Sequence, residues 1–174
     1  MQRAVFLDRD GVINRAVVRD GKPYPPAGLA DMEILPGVKM ALSALRAQGW
    51  LLIVVTNQPD VARGTKSREE VEAINQYLQK VLPIDEFRTC YHDSGDGCDC
   101  RKPLPGALMA AAQVHNIDLT ASFMVGDRWR DTEAGERAGC KTIFIDYGYA
   151  EKQPQTIDFR VHSLAQAADI ILGK

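Results

Sequence analysis

Five short runs along the chain are predominantly apolar without strict alternation: Ala4–Leu7, Leu51–Val55, Phe87–Tyr91, Phe123–Val125 and Thr142–Ile145. Strands that bury both faces read this way, and parallel sheets contain them. Amphipathic stretches fill the gaps between them. Val38–Gln48 follows Pro36-Gly37 and stops at Gly49. Ser67-Arg68-Glu69-Glu70 has the capping-box pattern and opens a helix that runs to about Leu82. Pro105–His115, Asp131–Ala138 (closed by Gly139) and Leu164–Leu172 complete the set. Strand and helix alternate five times, which predicts a doubly wound, mostly parallel, Rossmann-like α/β sheet with helices on both faces. No stretch is long enough for a separate cap domain, so residues 1–174 are expected to form a single domain.

In such a sheet, ligands sit beyond the carboxyl ends of the strands. Residues able to carry chemistry follow the strands here. Asp8-Arg9-Asp10-Gly11 follows the first run. Asp8 and Asp10 occupy alternate positions of an extended segment, so they share one side. Two such carboxylates repel unless a cation lies between them, and hard oxygen ligands suit magnesium. An ordinary Asp-Gly turn is the alternative. Thr56-Asn57-Gln58 ends the second run with a hydroxyl and amides suited to phosphate oxygens, although these residues also favour turns. Arg101-Lys102-Pro103 pairs two cations before a rigid proline, as an anion clamp or a solvated basic pair. Asp127 stops the fourth run, where it would join Asp8 and Asp10. Asp131 either joins them or caps its helix.

A different chemistry occupies the segment before Arg101. Cys90, His92, Cys98 and Cys100 lie within eleven residues. Three thiolates and an imidazole make a tetrahedral zinc set with every position filled by protein, hence structural. The intervening Asp93-Ser94-Gly95-Asp96-Gly97 has little apolar surface to order it, and an ion would supply that order. Cys140 enters a strand and reads as a buried inert thiol. His115 and His162 carry no assignment.

Composition narrows the partners. The chain has 174 residues, 21 basic and 23 acidic, with a net charge of −2 and a pI near 5.9. It therefore lacks the basic footprint expected of a nucleic-acid or anionic-membrane binder. No apolar stretch approaches the roughly 20 residues that span a bilayer, and no signal peptide is legible. A cytoplasmic, monomeric protein acting on a small phosphorylated molecule is the expectation. A zinc-stabilised binding module without catalysis is the rival.

The four strand-end groups, in this order, resemble the motifs of the haloacid-dehalogenase-superfamily phosphatases over nearly the whole chain. The resemblance implies that Asp8 is the nucleophile and Asp10 the general acid/base. It implies that Thr56 and Lys102 hold the phosphoryl group, with Asp8, Asp127 and the backbone carbonyl of Asp10 on magnesium and Asp131 orienting the metal shell. Asn57, Gln58 and Arg101 are expected at the substrate. Val61-Ala62-Arg63-Gly64 and the cysteine cluster narrow the similarity to the subgroup acting on heptose bisphosphate, with the histidinol phosphatases close by. Where that subgroup carries Ser-Gly after Thr-Asn-Gln, this chain has Pro59-Asp60. That change bears on the sugar rather than on the reaction.

Overall fold

The computed structural model describes residues 1–174. Its strands are β1 (Ala4–Leu7), β2 (Val17–Arg19), β3 (Lys22–Tyr24), β4 (Leu51–Asn57), β5 (Glu86–Cys90), β6 (Phe123–Gly126), β7 (Lys141–Ile145) and β8 (Phe159–Val161). Its helices are α1 (Val38–Ala47), α2 (Arg68–Val81), α3 (Gly106–His115), α4 (Trp129–Ala138) and α5 (Leu164–Leu172). Six strands form one sheet in the order β5-β4-β1-β6-β7-β8, and every neighbouring pair is parallel.

Residue alternation divides the core. Val5 and Leu7, Leu52 and Val54, and Phe123 and Val125 face one side, where α1, α2 and α5 supply Leu42, Leu45, Ile74, Leu78, Leu164 and Ala167. Ala4 and Phe6, Ile53 and Val55, and Met124 face the other, under α3 and α4. Apolar side chains on both faces explain why these strands lack a polar stripe. The helix-end signals also act as expected. Ser67 accepts from the Glu70 N–H and Glu70 accepts from the Ser67 N–H, closing the capping box of α2. Gly139 ends α4 in the left-handed region.

Three strands escaped the sequence pattern. The antiparallel hairpin β2–β3 lies in the segment after Asn14, which reads as loop because its strands are three residues long and mostly exposed. Its Asp20-Gly21 turn, with both φ positive, is the hairpin signal that was available. Strand β8 is a three-residue edge and equally faint. Helix α4 begins two residues before the expected Asp131.

The chain leaves β1 for β4 on one side and later returns to β6 on the other. The carboxyl end of β1 is therefore the switch point of the sheet, where a crevice opens.

Candidate active site

The Asp8 N–H donates to the Val125 carbonyl (3.0 Å), so the β1–β6 ladder continues one residue past β1 and fixes Asp8 over the crevice. Asp127 follows β6 directly, and Asp131 lies in the first turn of α4. Ligand oxygens of Asp8, Asp127 and Asp131 all fall within 4.8 Å of one another, and all three residues are buried. Lys102 reaches in from the far loop. Its Nζ donates to Asp8 Oδ1 at 2.7 Å and to the Val55 carbonyl at 2.7 Å, and it pairs with Asp131 Oδ1 at 2.7 Å.

Both readings of Asp131 hold together. One oxygen meets Lys102, and the other accepts the Arg128 N–H at 2.9 Å as the acid of a capping interaction on α4. Two glycines make the close approach achievable. A Cβ on Gly11, whose φ is +90, would lie 1.9 Å from Asp127 Oδ2. A Cβ on Gly126 would lie 2.1 Å from the Asp131 Cβ.

Three buried carboxylates and one ammonium leave an excess of negative charge. Burial, then the neighbouring Asp131, push the Asp8 carboxyl up to about 6, although Lys102 opposes the rise. Burial, then Asp8 and Asp131, hold Asp127 well above the ordinary carboxylate range. Burial alone would lower Lys102, but Asp131 and Asp8 outweigh it and hold the ammonium charged. Asp127 Oδ1 is buried with no protein donor. An excess of buried oxygen charge with an orphaned oxygen suits a hard divalent cation.

The Asp10 carboxylate is not part of this trio, which corrects the expectation that Asp8 and Asp10 share an ion through their side chains. Arg9 Nη2 (3.1 Å), Asn14 Nδ2 (2.9 Å) and Gln58 Nε2 (2.8 Å) hold it instead. Arg9 is fully buried and also donates to Asn75 Oδ1 on α2 (2.9 Å), and Asn75 in turn donates to Thr89 on β5. Buried chains of this kind hold a side chain in one orientation.

Of the expected substrate contacts Asn57 and Gln58, Asn57 lines the cleft above Asp8, whereas Gln58 is buried beneath it. Asn57 spends both ends of its amide on Lys102, donating to its carbonyl and accepting its N–H, each at 3.0 Å. Gln58 is buried and donates to Asp10 and to Thr56 Oγ1 (3.0 Å). They position Lys102 and Asp10. Because Thr56 Oγ1 accepts from Gln58, its own proton remains available to a ligand oxygen.

Sequence reasoning also missed Arg9, Asn14, Asn75 and Tyr149. Arg9 had a signal, since alternation between Asp8 and Asp10 turns it inward. Tyr149, whose hydroxyl donates to Asp127 Oδ2 at 2.8 Å, had none.

Above these groups lies an open cleft of about 270 Å³. The β2–β3 hairpin supplies Pro23 and Tyr24 to its wall. Arg63, Arg101, Arg128 and Arg130 surround its mouth, and Pro59 and Asp60 complete the rim. Asp60 lies 3.7 Å from Arg63, so its negative charge is matched within the rim.

The cysteine cluster assembles next to the cleft. Ligand atoms of Cys90, His92, Cys98 and Cys100 lie within 4.8 Å of one another, and all the cysteines are free thiols. The Cys90–Cys98 sulfur separation is 3.8 Å, close to the ~3.8 Å that two thiolates on a tetrahedral zinc adopt. Cys90 and Cys100 are nearer, at 2.7 Å, yet still well beyond disulfide length. Cys140 lies apart and buried, with burial pushing its thiol up to about 12. His115 pairs with Glu86 on the surface (2.6 Å).

A capless parallel sheet with Asp8, Asp127, Asp131 and Lys102 converging at its switch point defines a phosphatase of the haloacid-dehalogenase class. A HAD-hydrolase-like family model matches residues 99–167. The D-glycero-beta-D-manno-heptose-1,7-bisphosphate 7-phosphatase of Pasteurella multocida is 33% identical over 99% of this chain and 98% of its own. The protein of the same name from Vibrio cholerae is 39% identical over 82% and 80%. The crystal structure of D,D-heptose 1,7-bisphosphate phosphatase from B. bronchiseptica, complexed with magnesium and phosphate, superposes with a TM-score of 0.81. It is 29% identical and covers 99% of both chains. The chain belongs to the family of these heptose bisphosphate phosphatases, within the haloacid-dehalogenase-like hydrolases. No helix is long and apolar enough to cross a membrane.

Proposed function

We propose that this chain is a single-domain, magnesium-dependent phosphomonoesterase that removes the 7-phosphate of D-glycero-D-manno-heptose 1,7-bisphosphate. The observation that carries the reaction is the buried set of Asp8, Asp127 and Asp131 around Lys102. The names of the relatives and the arginine-rimmed cleft support the substrate.

A phosphate monoester repels an attacking carboxylate, so catalysis depends on positioning and charge neutralisation. Asp8, Asp127 and the Asp10 backbone carbonyl would hold the magnesium ion, with Asp131 beside them. When bound, the ion neutralises phosphoryl oxygens and lowers the repulsion that Asp8 meets. Lys102 binds Asp8 Oδ1, which leaves Oδ2 as the oxygen for in-line attack and formation of an aspartyl-phosphate. The free Thr56 proton holds one phosphoryl oxygen, and Lys102, whose three N–H groups serve Asp8, Val55 and Asp131, exchanges one of these bonds to hold another. Asp10, aimed by Arg9, Asn14 and Gln58, protonates the leaving sugar oxygen and then takes a proton from the water that hydrolyses the intermediate.

The cysteine cluster is read as a structural zinc site that orders residues 93–97 and, through Cys100, sets Arg101 and Lys102. A cytoplasmic setting suits it, because reduced thiols are the form that binds zinc. Matching of Asp60 by Arg63 supports retention of a phosphorylated substrate despite the change from Ser-Gly.

The test is magnesium-dependent phosphate release from both anomers of the heptose bisphosphate, from histidinol phosphate and from simple sugar monophosphates. A preference for the heptose bisphosphate, abolished by Asp8→Asn, is the expected result. Equal or better turnover of histidinol phosphate would refute the substrate, and near-wild-type turnover by Asp8→Asn would refute the covalent route.

A further inference from the structure

Four arginines ring the cleft, and three of them are already bonded. Arg63 grips Asp93 with two hydrogen bonds of 2.7 and 2.8 Å. Arg128 grips Glu151 in the same way, at 3.0 and 2.5 Å. Arg101 donates to the His92 carbonyl at 3.2 Å and lies 3.8 Å from Asp93. Arg130 is different. Its Nε is buried without any hydrogen-bond partner, and no acidic side chain pairs with it. Its only directed contact is with the ring of Trp129, 5.1 Å away.

Its position adds to the cost. Arg130 lies in the first turn of α4, where the helix dipole disfavours a cation. Burying an unpaired donor of a charged group is unfavourable as well. A cation placed so poorly for the free protein, on the wall of the cleft that holds Asp8, is matched by an anion that arrives with the substrate.

We propose that Arg130 is a specificity-determining residue that binds the second, non-transferred phosphate of the substrate and so selects bisphosphates over monophosphates. This rests on the bisphosphate reading given above. The phosphate that is hydrolysed sits at Asp8 and Lys102, and the other reaches Arg130 across the cleft. Because guanidinium fits two phosphate oxygens side by side, Arg130 can discriminate where a bound water cannot.

The experiment compares wild type and Arg130→Gln on heptose 1,7-bisphosphate and on a heptose 7-monophosphate. Loss of a charge-assisted contact predicts that the ratio of kcat/KM, bisphosphate over monophosphate, falls roughly tenfold to a hundredfold. Melting without substrate reads the alternative. A residue with no partner predicts a Tm equal to or above wild type, whereas a merely structural residue predicts a lower one. An unchanged ratio overturns the proposal, whatever the Tm.

Wild type that cleaves p-nitrophenyl phosphate but not the heptose bisphosphate refutes the substrate and leaves the anion site open to a separate measurement. Inhibition of p-nitrophenyl phosphate turnover by mannose 1,6-bisphosphate and by mannose 6-phosphate then decides. Tighter inhibition by the bisphosphate, lost in Arg130→Gln, upholds the site, and equal inhibition overturns it.

Discussion

Asp8, the proposed nucleophile, is expected to weaken the metal-free protein. Its carboxyl rises from the ordinary 3.8 to about 6 through burial and then the nearby Asp131. The folded chain therefore holds this proton more tightly than the unfolded chain does. Its stability is fully present below about pH 4 and is lost as pH rises through about 6. The rise corresponds to roughly 3 kcal/mol at neutral pH. Solvent screening takes little from that figure, because only 10% of the side chain is exposed. Asp8→Asn keeps an acceptor for Lys102 and removes the charge.

Urea denaturation in magnesium-free buffer should show the variant and wild type close together at pH 4. The variant should be more stable by up to about 3 kcal/mol at pH 7.5. Saturating magnesium should stabilise wild type at pH 7.5 much more than the variant. A variant as stable as wild type or less so at pH 7.5, or one with the same pH slope, refutes the reasoning.

Tyr149→Phe removes the hydroxyl that orients Asp127 and holds its carboxyl down. The magnesium concentration for half-activity should rise about tenfold, and the acid limb of the pH–rate profile should move to higher pH; unchanged values of both would count against this role for Tyr149. Gly11→Ala places a Cβ 1.9 Å from Asp127 Oδ2 at a φ of +90, so it should lower Tm and weaken magnesium activation together. Retained magnesium activation in that variant would show that Asp127 has room to shift. Cys98→Ser should drop zinc content from about one per chain, expose residues 93–97 to proteolysis and reduce turnover through Arg101 and Lys102. Full zinc by metal analysis would argue against Cys98 as a ligand.

Much of this was legible from the chain alone, for local reasons. Apolar runs identify β1, β4, β6 and β7 because a strand buried on both faces has no polar alternation to hide it. Asp8, Thr56 and Asp127 could be placed because each directly follows such a run, and strand ends in a parallel sheet point to one edge. Capping residues located α2 within a residue because Ser67 and Glu70 satisfy their backbone donors locally. The cluster of Cys90, His92, Cys98 and Cys100 is likewise a matter of short spacing.

Tertiary structure decided what depends on pairs distant in the chain. Asp10 looked like a partner of Asp8, but Gln58, 48 residues away, and the buried Arg9 claim its carboxylate. Asn57 and Gln58 looked like substrate donors, and packing gives them neighbours as well: Asn57 ties its amide to the Lys102 backbone, and Gln58 turns its NH2 to Asp10 and Thr56. Tyr149 at Asp127 and the lone Arg130 on a rim of bonded arginines have no local signature. A side chain's free hydrogen-bonding capacity is what remains after its neighbours have been served. Sequence determines which groups are present at the sheet edge, and packing decides which of them are left for the substrate.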